Sequence, residues 1–402
     1  MPIVDPFLAA SLAGRIYDVV DPLSKMTFFK EFSSFLATDN GTHLTNAFQN
    51  STSASKRLEN SKTFHGNTGA LMLKKRYMMG MIAYGTGRYK DDIFVLIQGT
   101  SNLFDGLTDL NTGVKHCSTS TYVHQGFEDT FRSFKNELER FFNKHGKVIG
   151  RVHCIGHSLG GALATLAANY LKSRNLEVCL YTFGSPRVGL EQFSMVASSE
   201  IGKQNIYRVY HNIDPVPTLP TWPFYHVAFS DLGYRIEMPL SINPVAGHKM
   251  ANYIRNVTRK NWEYLAANKP PVYNIPELKS WLRIDRPVQL SAQFLELVGR
   301  SLAWIFSLSA KATGIALTVA FSGSFTFLDR MAYILSKGAE VLGEAAIWLL
   351  FLVKKIGSLI GVRITEGTKL TYDLLKRVFI LFHNRTRQFV RHIADTMEAD
   401  RS

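Results

Sequence analysis

The chain has 402 residues, a formal net charge of +14, 46% hydrophobic residues and three cysteines. This apolar fraction excludes a mostly disordered protein, and the length allows a sizeable core without disulfides or metal. Cys117, Cys154 and Cys179 show no CxxC spacing, so neither a disulfide framework nor a zinc ribbon is expected. The basic charge favours an anionic partner, and composition leaves open nucleic acid, an acidic membrane and an acidic protein.

The N-terminal segment, residues 1–74, predicts a helix and a loop that pack on the following domain. Residues 5–20 read as an amphipathic helix. No Lys or Arg precedes Arg15, which reverses the charge order of a secretory signal, so we expect no Sec signal peptide. Residues 38–68 are rich in Thr, Asn and Ser and predict a surface loop.

Strands alternate with helices in the next part of the chain, which we assign as one domain over residues 75–265. Two apolar runs, 77–84 and Ile93–Ile97, are separated by a Gly-Thr-Gly turn and predict a β-hairpin. Further strands are predicted at 152–155, Val178–Phe183 and 206–210, and helices at 127–141, at 159–171 and between the last two strands. This alternation predicts an α/β domain with a largely parallel central sheet flanked by helices.

The C-terminal third predicts apolar and basic helices over residues 290–402, after a proline-containing linker at 266–289. Residues 312–328 form an uncharged stretch of 17 residues, the lower limit for a membrane span, so a buried or membrane-surface helix is favoured. The apolar run 347–353, followed by two lysines, is typical of membrane-seeking helices. The alternative is a helical subdomain whose apolar faces pack on one another or on the α/β domain.

A candidate nucleophile lies between a predicted strand and a predicted helix. Residues 156–160 read G-x-S-x-G, with Ser158 at the centre. On such a sharp turn the serine hydroxyl projects from the sheet edge, and the backbone comes too close for side chains at Gly156 and Gly160. The helix start also directs its amides and its positive dipole end at the reaction centre. We therefore predict a nucleophile elbow.

A serine nucleophile needs a base, and the base needs an orienting carboxylate, in the chain order Ser, Asp or Glu, His. Asp214 follows a predicted strand directly and could orient the base, although an Asp before Pro also commonly caps a turn. The candidate bases are His226, within the strand-like run 224–227, and His248, just before a helical run. We favour His248, because a residue at a helix start approaches the nucleophile more easily than one held in a strand.

Acyl transfer also requires two donors at the developing oxyanion. One is expected to be the amide of Leu159, directly after the nucleophile. Thr100, after the strand Ile93–Ile97, could supply the second donor through its amide and hydroxyl, with Asp109 accepting from that hydroxyl. The alternative is a Gly-Thr-Ser turn that caps a helix.

Several of these segments occur in the same order in one family. The sequence resembles the class 3, fungal-type lipases in short motifs at residues 98–100, 107–110, 123–127, 156–161, 183–189 and 214–217. These lipases are α/β-hydrolases that act on acylglycerols and, in many members, on phospholipids. The resemblance implies Ser158 as nucleophile, Asp214 and His248 as its partners, and Thr100 with Leu159 as the oxyanion hole. It also implies that His226 is not catalytic.

The chain departs from the family in two places. Gln98 stands where the family often has Arg, and residues 101–107, where a lid commonly lies, form a short segment. The spacing of His248 before Met250 and Tyr253 is more similar to bacterial members. Some of these are antibacterial phospholipase effectors that are exported without a signal peptide.

Together these features predict a serine carboxylester hydrolase that cleaves membrane lipids, as a phospholipase A or an acylglycerol lipase. The alternative is a catalytically inactive lipid- or protein-binding module on a hydrolase scaffold. No metal or cofactor is expected. The expected partners are a lipid substrate on an anionic membrane surface and an acidic inhibitory or immunity-type protein, whereas the dispersed basic residues argue against nucleic acid. We expect a cytoplasmic protein or one exported by a non-Sec route, associated with membranes peripherally or through its C-terminal region.

Overall fold

The computed structural model describes residues 3–20, 58–68, 75–99, 113–119, 121–144, 150–229, 233–267, 273–314 and 327–399. Within these ranges the chain forms a central sheet covered by helices on both faces, followed by a group of C-terminal helices.

The central sheet has seven strands and is parallel over most of its width. In spatial order they are β1 (Leu58–Thr68), β2 (Lys75–Gly85), β3 (Ile93–Ile97), β6 (Val152–His157), β7 (Val178–Phe183), β8 (Ile206–His211) and β9 (Tyr234–Ile236). The pairs β1–β2 and β2–β3 are antiparallel, and every pair from β3 onward is parallel. The predicted hairpin and the largely parallel sheet are therefore confirmed. A separate two-stranded sheet joins β4 (Val114–His116) to β5 (Tyr122–His124).

Helices from both ends of this domain cover the two faces of the sheet. They are α1 (Pro6–Val20), α2 (Gln125–Lys144), α3 (Leu159–Ser173), α4 (Glu191–Ile201), α5 (Pro244–His248), α6 (Met250–Val257) and α7 (Trp262–Ala267). Because side chains alternate along a strand, Val95 of β3 packs with the cluster that includes α2 and α3, whereas Phe94 and Leu96 pack with the cluster that includes α1 and α6. Parallel strands buried on both faces read as the continuous apolar runs seen in the sequence.

The surface loop predicted for residues 38–68 is wrong over residues 58–68, which form β1. The composition, rich in Thr, Asn and Ser, concealed this strand, and two register shifts against β2 interrupt its alternation. Phe64 nevertheless lies in the core, with its ring centroid 5.0 Å from that of Phe134 on α2. Residues 38–57 lie outside the described residues.

The C-terminal helices pack mainly on one another. They are α8 (Ile275–Arg283), α9 (Ala292–Thr313), α10 (Phe327–Val341), α11 (Gly343–Ile360) and α12 (Tyr372–Ala399). The apolar run predicted as membrane-seeking lies in α11, where Trp348 and Leu352 are buried in the core. Contact with the α/β domain is made by α9, where Phe306 packs 4.6 Å from Trp222 between ring centroids, and by α12, which packs on α5.

The predicted linker at residues 266–289 contains helix α8, which begins with a capping box between Asn274 and Glu277 and packs on α11. The division of the chain into four segments itself remains a prediction. Among the residues that the structure describes, no helix has the length and apolar character needed to cross a membrane. Most of the uncharged stretch 312–328 lies outside those residues.

Candidate active site

Ser158 occupies a strained turn between β6 and α3. Its backbone has φ 57° and ψ −133°, which side chains other than glycine rarely adopt. A Cβ atom at Gly156 would collide with the backbone of Gly160, and a Cβ at Gly160 would collide with the Ile97 carbonyl of the neighbouring strand. The two glycines of the motif therefore permit the close approach that the predicted elbow requires, and they leave Ser158 at the carboxyl end of the sheet.

The structure brings the three predicted triad residues into one hydrogen-bonded chain. The Ser158 Oγ lies 2.8 Å from His248 Nε2, and His248 Nδ1 lies 2.8 Å from Asp214 Oδ2. With the Nδ1 proton donated to the carboxylate, Nε2 acts as the acceptor for the proton of the serine hydroxyl. His248 and Asp214 are fully buried, and Ser158 is 3% exposed. These residues come from the ends of β6, β8 and α5, three elements that are distant in sequence.

Asp214 is held from three sides. The Tyr253 hydroxyl donates to Oδ2 at 2.7 Å, and the Val216 amide donates to Oδ1 at 3.0 Å. Asp214 thus caps its turn, as the alternative interpretation expected, and also contacts His248. A Cβ at Gly184, where φ is +57°, would lie 2.8 Å from Oδ2, so only glycine fits beside this carboxylate.

Tyr253 was not predicted as a site residue from the sequence. Burial, together with the adjacent Asp214 carboxylate, raises the pKa of Tyr253 well above 10. The phenol is therefore a permanent donor to that carboxylate. Tyr253 could have been found in the sequence from its position five residues after His248, because that spacing places it on the first turn of the next helix.

His157, between the glycine and the nucleophile of the motif, forms a second connection to the triad. One ring nitrogen, Nε2, lies 2.9 Å from the backbone carbonyl of His248, and Nδ1 lies 3.0 Å from the Tyr17 hydroxyl. The Gly99 amide also donates to the Tyr17 hydroxyl, at 3.3 Å. Helix α1 therefore contacts the end of β3 and the nucleophile turn together, a link that the sequence did not reveal.

A buried imidazole at His211 supports the loop that carries the base. Its Nδ1–H donates to the Gly247 carbonyl at 2.6 Å, and Nε2 accepts from the Asn256 amide at 3.1 Å. The ring stacks on Tyr253 with centroids 3.9 Å apart. Burial lowers the pKa of His211 to about 4 and outweighs the opposing effects of the Gly247 carbonyl and the Asp214 charge. The ring is therefore neutral at pH 7, with both nitrogens used.

The predicted oxyanion donors are only partly within the described residues. Leu159 follows the nucleophile and begins α3, and the first amide of a helix has no partner within the helix. Thr100 and Asp109 lie outside the described residues, so their roles remain predictions. The strand end that precedes Thr100 does lie next to the nucleophile, because a Cβ at Gly99 would be 3.1 Å from the Ser158 Cβ.

His226, the alternative base, lies away from the triad. The strand predicted at residues 224–227 is wrong, because only Tyr225 pairs there, in an isolated bridge to Gly189. The His226 Nε2 bonds to the Pro217 carbonyl at 2.7 Å. Burial, reinforced by the nearby Arg208, lowers the pKa of His226 well below its usual value.

Among the described residues, no group of three or more His, Cys, Asp or Glu side chains could hold a metal ion.

Comparison with known proteins identifies a lipase segment in the chain. Residues 94–224 match the family model described as Lipase (class 3), which confirms the family resemblance. The chain is 34% identical over 165 residues to secreted mono- and diacylglycerol lipase 1 of Fusarium solani, covering 40% of this chain and 46% of that protein. It is 40% identical over 105 residues to Toxin TseL of Vibrio cholerae, covering 25% of this chain and 15% of the toxin.

A plant protein matches a longer stretch of the chain. Phospholipase A1-II 1 of Oryza sativa is 25% identical over 224 residues, covering 46% of this chain and 56% of that protein. The chain thus spans about half the length of the fungal and plant relatives and a smaller part of the bacterial one.

Proposed function

We propose that this chain, which carries a class 3 lipase segment at residues 94–224, is a serine carboxylester hydrolase that cleaves acyl esters of membrane lipids. The observation that carries the proposal is the chain of two 2.8 Å hydrogen bonds from Ser158 through His248 to Asp214. A buried carboxylate, a correctly oriented imidazole and a hydroxyl on a strained turn form the arrangement that activates serine for acyl transfer.

The reaction follows from this geometry in two steps. His248 Nε2 takes the Ser158 proton as Oγ attacks the ester carbonyl, and the imidazolium then protonates the departing alcohol, which leaves an acyl-serine. Water, deprotonated by the same nitrogen, releases the carboxylic acid and restores the serine. Asp214 stabilises the imidazolium and holds its orientation. The amide of Leu159, at the positive end of α3, and the predicted donor Thr100 stabilise the oxyanion.

The substrate class is an acylglycerol or a phospholipid. The names of the fungal and plant relatives, a mono- and diacylglycerol lipase and a phospholipase A1, support both. The net charge of +14 supports attraction to an anionic lipid surface and, as a second partner, to an acidic inhibitory protein. We propose peripheral membrane association on the same ground, so activity on anionic liposomes should fall as salt screens the charge.

The test is product analysis with defined lipids. Wild-type protein and the Ser158→Ala variant are incubated with phosphatidylglycerol, phosphatidylcholine and triacylglycerol. Because Ser158 is 3% exposed, each lipid is supplied both as monomers and as dispersed aggregates, which compares the access of the two forms to the nucleophile. Ser173→Ala, at the far end of α3, is the matched control. We expect the wild type and the control to release fatty acid, and Ser158→Ala to lose activity by about 10³-fold or more.

Two results would count against this function. Comparable fatty-acid release by Ser158→Ala would exclude Ser158 as the nucleophile. Binding of folded wild-type protein to liposomes without any hydrolysis would favour the inactive binding module instead.

A further inference from the structure

The turn that carries the base is held by three side-chain donors. Helix α5 is only five residues long and ends at His248, so its last carbonyls have no partner within the helix. Three successive carbonyls accept from side chains instead: Ala246 from Asn252 at 2.7 Å, Gly247 from His211 at 2.6 Å, and His248 from His157 at 2.9 Å. The base is therefore fixed through its backbone as well as through its imidazole.

These three donors come from different elements. Asn252 lies on α6, directly after the turn, and His211 ends β8, two strands away from the nucleophile strand in the sheet. His157 ends β6 and directly precedes Ser158 in the chain. Of the three bonds, the one from His157 thus joins the backbone of the base to the segment that carries the nucleophile.

The His157 ring lies beside the base within the fold. Because side chains alternate along β6, His157 points to the same face as Ile155, which packs in the cluster that includes α1 and α6. The ring is 1% exposed, and its centroid lies 4.9 Å from that of the His248 ring and 5.9 Å from that of Tyr253. Packing on two sides holds the imidazole in the orientation that its hydrogen bonds require.

The hydrogen bonds of His157 have one consistent direction when the ring is neutral. A carbonyl can only accept, so Nε2 carries the proton that is donated to His248. The other nitrogen, Nδ1, then accepts from the Tyr17 hydroxyl at 3.0 Å, and that hydroxyl accepts from the Gly99 amide at 3.3 Å. The series runs from the end of β3 to the base turn, and each bond in such a series strengthens the next.

We propose that His157 is a positioning residue for the hydrolytic reaction. Its Nε2–H holds the His248 backbone at the distance from the nucleophile turn at which the base accepts the Ser158 proton. It acts through His248 and not on the substrate. The inference rests on the proposed hydrolase function, because the position of this backbone matters to the reaction only if Ser158 is the nucleophile.

Two amide variants separate the two hydrogen bonds of the ring. In His157→Gln the amide nitrogen reaches the position of Nε2 and can still donate to the His248 carbonyl. In His157→Asn the shorter amide reaches only the position of Nδ1, so it can contact the Tyr17 hydroxyl but not that carbonyl. We expect His157→Asn to lower kcat by about tenfold or more with little change in KM, and His157→Gln to stay within about threefold of wild type. The substrate is monomeric p-nitrophenyl butyrate.

The matched control is His153→Gln. His153 lies four residues earlier on the same face of β6, is fully buried, and has its ring nitrogens 3.3 Å from Asp92 Oδ2 and 3.3 Å from the Tyr181 hydroxyl. Its replacement should lower the free energy of unfolding in urea, because buried hydrogen bonds are lost, while kcat stays within about twofold of wild type. A kcat loss in this control equal to that in His157→Asn would assign the effect to general destabilisation and count against positioning.

A spectroscopic measurement tests the proton arrangement without any change at His157. In wild-type protein labelled with ¹⁵N-histidine, the His157 ring should carry a slowly exchanging proton on Nε2 and none on Nδ1. Its Nδ1 resonance is identified by its shift in Tyr17→Phe, which removes the hydroxyl that donates to it. This measurement decides the question if the amide variants do not fold.

Three results would overturn the proposal. They are a His157 ring with its proton on Nδ1, a wild-type kcat in His157→Asn, and a kcat loss in His157→Gln as large as that in His157→Asn. A folded wild type that neither hydrolyses esters nor reacts with a fluorophosphonate would instead refute the proposed function. An active wild type with equally active variants would refute the positioning role alone.

Discussion

The buried imidazole of His211 makes a specific prediction about acid stability. In the folded protein its Nδ1–H donates to the Gly247 carbonyl and its Nε2 accepts from Asn256, so a second ring proton has no acceptor. Burial lowers the pKa of His211 to about 4, against 6.5 for an ordinary histidine. Because the folded pKa is depressed, the stabilisation is present above pH 6.5 and is lost as pH falls toward 4.

The magnitude follows from those two values. The unfolded chain takes up the proton near pH 6.5 and the folded chain near pH 4, which costs roughly 3 kcal/mol of unfolding free energy over that interval. The His211→Asn variant retains a donor for Gly247 but has no titrating ring. It should be less stable than wild type at pH 7.5, by about 1–3 kcal/mol, because the stacking on Tyr253 and the bond to Asn256 are lost.

The measurement is urea unfolding of both proteins at pH 7.5, 6.0, 5.0 and 4.5. The wild type should lose stability more steeply than His211→Asn, so the difference between them shrinks or reverses by pH 4.5. Other histidines with depressed pKa values, such as His153, titrate in both proteins and cancel in the comparison. Exposed His392→Asn is the control and should parallel the wild type. Parallel curves for wild type and His211→Asn would refute the reasoning.

Three further substitutions test the surroundings of the triad. Gly184→Ala places a methyl group 2.8 Å from the Asp214 carboxylate at a φ of +57°. It should lower kcat in ester hydrolysis by about 10²-fold or more, and the free energy of unfolding in urea by about 1–3 kcal/mol. Wild-type kcat in this variant would show that the carboxylate tolerates displacement. Tyr253→Phe removes a donor to the same carboxylate and should lower kcat about tenfold with little change in KM, whereas a pure KM effect would contradict its positioning role. Tyr17→Phe removes the hydroxyl that accepts from the Gly99 amide and contacts the imidazole of His157, beside the nucleophile. It should reduce hydrolysis about tenfold while its circular dichroism spectrum matches that of the wild type. Unchanged hydrolysis would show that α1 acts only through packing.

The parts of the site that depend on short sequence spacing could be predicted from the sequence. The nucleophile turn needs glycines two residues either side of Ser158, and that spacing is visible in the chain itself. Asp214 was recognisable from its place after a buried apolar strand. The choice between the candidate bases was weaker, since it depended on the expected flexibility of a helix start, and the strand predicted around the rejected histidine proved wrong.

The parts that sequence did not reveal depend on contacts between distant segments. Tyr17 reaches His157 across 140 positions, and Arg187 reaches Glu296 across 109, so no spacing rule relates them. Strand β1 was not predicted because its polar composition is typical of a loop and its register shifts interrupt the alternation of apolar and polar residues. Such features arise when tertiary packing overrides local preference.

The central claim, that Ser158 is an activated nucleophile, is tested most directly by its reaction with a fluorophosphonate. Folded protein is incubated with the probe in the presence of lipid dispersions and digested, and the modified peptide is identified by mass spectrometry. The account predicts one label per chain, on Ser158, and strongly slowed labelling in His248→Ala, which lacks the base. A folded wild-type chain that remains unlabelled, or whose label lies on another serine, would contradict it.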